Sequence, residues 1–353
     1  MHPVMRMAMR TLVLLAVLAL GVTSSRSVRA ADLIPVVIGN IPSFTAAPLY
    51  IAIDKGYYTA AGLDVQLTNA GSPADQAALL TTNRLQLVGG AVTASFYNSF
   101  ARKLPVALVL SRAVSPINHY LMARMALRGV LKTPADLKGR IVAIDQIGTD
   151  LSYELLKTLQ SAGLTLADVQ VKFLPFSEQP AALATGAIDL ALMVSPLQDA
   201  TADKGIAFRF LNTDKFITPR PMAGSVLEMN RDWAAAHPDA AKAFIVATLR
   251  ATRYYCEAYH HGANRPDVVR ILAKYSNVQD PALIEKIDWT AMDVDGRISM
   301  DSIMDIQDFY VKEKLVNAPV TEAELAPPAW VAQARASIAP FRLVHDDHRP
   351  GCR

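Results

Sequence analysis

The 353-residue chain is 52% hydrophobic and 19% charged, with 17 Gly, 21 Pro and two Cys. That composition is globular and excludes disordered, collagen-like and disulfide-framework classes. Four arginines within residues 1–30 account for the net charge of +3, and the 31 basic against 32 acidic residues that follow give no support to a nucleic-acid surface, which needs a basic face.

Residues 1–30 read as a cleavable signal peptide. Arg6 and Arg10 precede the apolar run Leu12 to Val22, and Val28-Arg29-Ala30 offers small residues where a signal peptidase reads. Eleven apolar residues rise only about 16 Å as a helix, against roughly 30 Å of hydrocarbon, so the run is too short to span a membrane. No arginine pair suggests the twin-arginine route, and no Cys at the cleavage site could take a lipid. The expected mature protein starts after Ala30, in the periplasm.

From Ala31 onward short apolar runs alternate with helical patterns. A length above about 250 residues exceeds what one core usually serves, so two lobes are expected. The first round reads as strand Pro35–Ile38, helix Pro48–Tyr58, strand Leu63–Thr68, a helix capped by Ser72-Pro73, strand Leu85–Val88, helix Thr93–Ala101 and strand Pro105–Leu110. The second runs from strand Tyr120–Ala123 through strands Arg140–Ile144, Val169–Phe173, Ile188–Val194 and Phe208–Leu211, with helices after Asp150, Glu178 and Pro196. Such alternation calls for parallel sheets covered by helices on both faces. Ala77-Ala78-Leu79 before Leu85-Gln86-Leu87 parallels Ala181-Ala182-Leu183 before Ile188-Asp189-Leu190, pointing to two lobes of one architecture. After Pro219-Arg220-Pro221, strand Ser225–Met229 leads into helices only, the longest being Pro238–His260.

Two cysteines cannot make a metal site or a disulfide framework. Cys256 lies in the long helical run and Cys352 is the penultimate residue. A bridge between them is one reading; a buried free Cys256 with a frayed tail over 341–353 is the preferred one. His345, Asp346, Asp347 and His348 read as a mobile polar end, not a metal site.

Gly39-Asn40-Ile41-Pro42-Ser43-Phe44-Thr45-Ala46-Ala47-Pro48-Leu49-Tyr50, then Asp54-Lys55-Gly56-Tyr57-Tyr58 and Gly62-Leu63-Asp64-Val65, is similar to the opening of the nitrate/sulfonate/taurine substrate-binding proteins of ABC importers. That group shares its fold with the thiamine-pyrimidine precursor binding proteins. Ala135-Asp136-Leu137-Lys138-Gly139, Gly186-Ala187-Ile188-Asp189 and Asn230-Arg231-Asp232-Trp233 extend the resemblance over roughly 35–275. It implies two α/β lobes joined by two crossovers, each a doubly wound, mainly parallel sheet. Lobe 1 would take 31–114 and 221–340, and lobe 2 would take 115–220. The chain departs from the pattern at Asn83 and Gln86, at Ser195 where many members carry an acid, and in lacking the pyrimidine branch's cysteine-rich motif.

Ligands of doubly wound sheets bind beyond the carboxyl ends of strands. Those ends carry Ser43, Phe44 and Thr45; Gly89, Gly90 and Ala91; Gly148, Thr149 and Asp150; and Ser195. Gly89-Gly90 either admits a ligand to the backbone or only makes a tight turn. Arg112, His119 and Arg220 lie near the crossovers, and Arg220, stiffened by its flanking prolines, is the preferred partner for an anion, with a solvated hinge arginine as the other reading. Asp150 is expected to N-cap the helix it opens, accepting from the N–H of Ser152 or Tyr153.

No Gly-x-Ser-x-Gly elbow, phosphate loop or paired His on a helix face argues for catalysis. The expected function is a monomeric periplasmic binding protein, without metal or cofactor, that delivers a small polar or anionic solute (sulfonate, nitrate or aromatic acid) to the transmembrane permease subunits. An enzyme related to the pyrimidine branch and a module feeding a membrane sensor are the other readings.

Overall fold

The computed structural model describes residues 33–69, 72–276 and 278–352; the expected signal peptide and cleavage point lie outside them. The first sheet is built from β1 (Ile34–Asn40), β2 (Leu63–Thr68), β3 (Leu87–Gly90) and β4 (Val106–Val114). The second takes β5 (Tyr120–Arg124), β6 (Ile141–Ile144), β7 (Gln170–Phe173), β8 (Leu190–Met193) and β9 (Ala207–Asn212). The chain then returns to the first sheet as β10 (Ala223–Asn230).

Strand order is β2-β1-β3-β10-β4 in one sheet and β7-β6-β8-β5-β9 in the other. β1 pairs parallel with β2 and β3, and β6 with β7 and β8. β10 and β5 run antiparallel to both neighbours. These two strands are the ones that follow a crossover, so each sheet is parallel except where the chain has just arrived from the other. All nine residues of β4 are buried, as expected of a strand covered on both faces.

One face of the first sheet packs on helices Ala47–Asp54 and Pro238–Tyr259, the other on Ala94–Ala101 and Met300–Lys312. The long helix buries Ala241, Phe244, Ile245, Thr248, Leu249 and Thr252, the face its 3.6-residue spacing predicts. The second sheet is covered by Asp150–Gln160 on one side and Gln179–Thr185 on the other.

Three local expectations are corrected. The single helix Pro48–Tyr58 is two pieces, Ala47–Asp54 and Tyr57–Ala60, because Gly56 adopts φ +67°, which a helix cannot continue through. Gly89 and Gly90 are the last residues of β3, not a turn after it. The tail is pinned: Cys352 is buried and bonded to Cys256, and Asp347 meets His260 and His261 at 2.8 and 2.9 Å. Tyr259 Oη donates to Pro350 O, so several contacts from one helix end hold the strap that the polar composition suggested would fray.

Candidate functional site

A cavity of about 720 Å³ opens where the carboxyl ends of the parallel strands of the two sheets face each other. Its wall on the first sheet includes Ser43, Phe44 and Thr45 after β1, Gly89, Gly90 and Ala91 at the end of β3, Arg112 of β4 and Glu228 of β10. The second sheet contributes Asp145, Thr149 and Asp150 after β6, Phe176 after β7 and Ser195 after β8, with His119 beside the first crossover. Phe44, Phe96, Phe176, Val88 and Leu197 make much of the wall apolar.

Arg112 is a buried cation on the wall of this cavity. It is 3% exposed, and its Nη2 donates to Asn40 Oδ1 at 2.9 Å and Thr45 Oγ1 at 3.4 Å, while Nε donates to Thr45 O at 3.3 Å. Its Nη1 has no hydrogen-bond partner, and among the described residues no carboxylate forms an ion pair with it. Burial lowers its pKa to about 10, offset only in part by Tyr50 and Tyr58. Gly89 makes room for it: a Cβ there would stand 2.0 Å from Nη1 and 2.8 Å from Cζ. Gly89→Ala should therefore displace the guanidinium, and affinity for a ligand that Arg112 contacts should drop by about tenfold or more, read by calorimetry, for roughly 1.4 kcal/mol or more of lost contact. Unchanged affinity would separate Arg112 from the ligand.

The opposite wall carries Asp145 and Asp150, with the fully buried Glu154 behind it. Glu154 accepts from Thr213 Oγ1 at 2.7 Å and pairs with His119 Nδ1 at 2.9 Å. Burial opposes the His119 charge, but Glu154 more than offsets it and lifts the imidazole pKa to about 9. Asp150 rises to about 8, through burial first and then the Glu154 charge, so its carboxyl is largely neutral near pH 7. The N-cap is Thr149, not Asp150, which is the first helical residue. The Ser152 and Tyr153 N–H groups expected to bond the Asp150 carboxylate donate to the Thr149 carbonyl instead, while Ser152 Oγ accepts from Gly148 N and donates to Thr149 O. Thr149 Oγ1 donates to Asp145 Oδ1, and Ser195 Oγ to Asp199 Oδ2.

Ten of the twelve residues expected at the site line the cavity. Gly148 instead accepts from the Ala94 N–H with its carbonyl, tying the edges of the two halves together. Arg220 is exposed and donates to the Ile217 and Asp214 carbonyls; the prolines stiffen its backbone but turn its side chain onto its own loop. Arg112, not Arg220, is the arginine that lines the cavity. Glu228 and Phe176 were not anticipated. A lone acid within the apolar run Ser225–Met229 was the available signal for Glu228.

Asp150, Glu228 and His119 all hold protons more tightly when folded. Glu228 rises to about 8 through burial. From about pH 4.5 to 8 the two folded carboxyls keep protons that the unfolded chain has released, and from about 6.5 to 9 His119 does the same. Stability of the ligand-free protein should accordingly fall as pH rises, with a lower melting temperature at pH 8.5 than at 5.5. Asp150→Asn should flatten that dependence; a melting temperature that climbs toward pH 8.5 would contradict the assignment.

The sequence profile of the NMT1/THI5-like family matches residues 43–261. The bicarbonate transport ATP-binding protein CmpC of Synechocystis is 25% identical over 240 residues, covering 63% of this chain and 35% of that protein. The riboflavin-binding protein RibY of Chloroflexus aurantiacus is 28% identical over 219 residues, 60% of this chain and 58% of that one. The chain thus spans about a third to three fifths of these relatives. Among solved structures, the periplasmic aliphatic sulphonate binding protein SsuA of Escherichia coli superposes with a TM-score of 0.67 at 16% identity, covering 91% of this chain and 97% of its own.

Proposed function

The chain belongs to the NMT1/THI5-like family, and from that premise we propose that it is the exported solute-binding component of an ABC importer, taking an organic anion between two lobes. The observation that carries this reading is Arg112, a buried guanidinium with one unpartnered nitrogen and no counter-ion, on the wall of a largely apolar cavity. An apolar wall with one unpaired cation suits a carboxylate or sulfonate on an apolar body. A volume of about 720 Å³ lies within the ~300–1,000 Å³ typical of organic-ligand sites. Two of the similar proteins support an anion, one belonging to bicarbonate transport and a structural neighbour binding aliphatic sulphonates, while the riboflavin-binding relative supports a bulky organic body.

In this reading lobe 1 comprises 31–114 and 221–340, lobe 2 comprises 115–220, and ligand shifts the population toward the closed form by its extra affinity for it. The chain works as a monomer in the periplasm after cleavage behind Ala30, binds without turnover, and hands its solute to the permease subunits. The Cys256–Cys352 bond suits an oxidising compartment.

A chain starting at Ala31 can be screened by thermal shift against carboxylates, sulfonates and their neutral amides. Acids are expected to stabilise it, by about 2.7 kcal/mol at a hundredfold excess over Kd, and amides to do nothing. Stabilisation by the amides alone would overturn the reading.

A further inference from the structure

Arg112 is not the only unpaired ionisable group on the cavity wall. Glu228 of β10 is 6% exposed and lines the same cavity, yet among the described residues its carboxyl has neither a hydrogen-bond donor nor an ion-pair partner. Its cross-strand neighbours are Val88 of β3 and Leu108 of β4, both apolar, and no charged group on any neighbouring element alters its ionisation. A buried carboxyl without a partner is costly, and a leucine or methionine would satisfy this strand position without that cost. Asp145 of the opposite wall differs, since it accepts from Thr149 Oγ1, as does the buried Glu154 behind that wall, held by His119 and Thr213.

Resting on the organic-anion reading above, we propose that Glu228 is the subsite for a basic nitrogen, so that the solute carries both an acid, held by Arg112, and an amine or similar cation. Each end of such a molecule would supply the partner that one buried group lacks. In the free protein Glu228 keeps its proton, since burial disfavours the carboxylate. An arriving ammonium stabilises the carboxylate, the Glu228 proton leaves to solvent, and the two charges pair. Binding of the cationic end therefore releases a proton and strengthens as pH rises toward the Glu228 pKa, provided the amine itself stays protonated.

Hexanoate and 6-aminohexanoate form a matched pair of probes whose flexible chain leaves the span between the two groups free to adjust. By calorimetry at pH 7.5 the amino acid should bind wild-type protein at least tenfold more tightly than hexanoate. Its binding should also release a proton, seen as a dependence of the heat on the buffer's ionisation enthalpy. The preference should disappear in Glu228→Gln and survive in Asp203→Asn, which removes an exposed acid outside the cavity lining, with melting curves confirming that both variants fold. Equal affinity for the two probes in wild type, or a preference that survives Glu228→Gln, overturns the inference and leaves the organic-anion reading standing if hexanoate binds. If neither probe binds, this inference fails together with that reading.

Discussion

Arg112→Met is expected to weaken binding of an organic acid by at least a hundredfold while leaving the melting temperature unchanged or higher. Loss of one partner from a buried charge pair costs about 2–5 kcal/mol, and each ~1.4 kcal/mol is tenfold in affinity. Stability responds differently because the free protein gives this charge no counter-ion, and burial depresses its pKa to about 10. Methionine keeps the length and removes the desolvated charge, at the cost of the bonds to Asn40 and Thr45. Arg112→Lys keeps the charge but not the planar fork, and should retain weak binding. A variant that melts several degrees lower and binds normally would make Arg112 a brace for the Ser43–Thr45 turn and nothing more.

Loss of the Cys256–Cys352 bond is the second large effect. It closes a loop of 96 residues, for which chain-entropy arguments give about 4–5 kcal/mol and comparable removals cost about 2–5 kcal/mol. Cys352→Ser should lower the melting temperature by about 3–8 °C for a chain of this size, and a reductant should do the same to wild type only. Affinity should be unaffected, since neither cysteine lines the cavity. Equal melting of oxidised and reduced protein would show that the bond constrains nothing the contacts of Asp347 do not already hold.

The alternation of buried strands and amphipathic helices was readable because both periods are local. Val106–Val114 and the Pro238 helix announce themselves by composition, and the return of the chain to the first sheet follows from the resemblance. The Cys256–Cys352 pairing was not readable, because closing 96 residues depends on where Gly351 and Cys352 come to rest on the long helix. At the cavity the strand ends are where the alternation puts them, while the presence of Arg112 rather than Arg220 on its wall is not legible. Proline stiffening at 219 and 221 is visible in sequence. The extension of β4 to Val114, which carries Arg112 into the wall, is set by its pairing with β10 across a bulged register. Asp150 follows the same logic: capping preference is local, but the Thr149 carbonyl already takes the Ser152 and Tyr153 N–H groups, and burial, then the neighbouring Glu154, decides its charge.

The most direct test of the account is a crystal structure of the complex with the tightest-binding organic acid from the thermal-shift screen. The account predicts the acid group within hydrogen-bonding distance of the Arg112 guanidinium, which would then have a partner for Nη1, with the ligand body against Phe44 and Phe176 and both lobes in contact with it. An acid group seated instead against His119, with Arg112 still bonded only to Asn40 and Thr45, would contradict it.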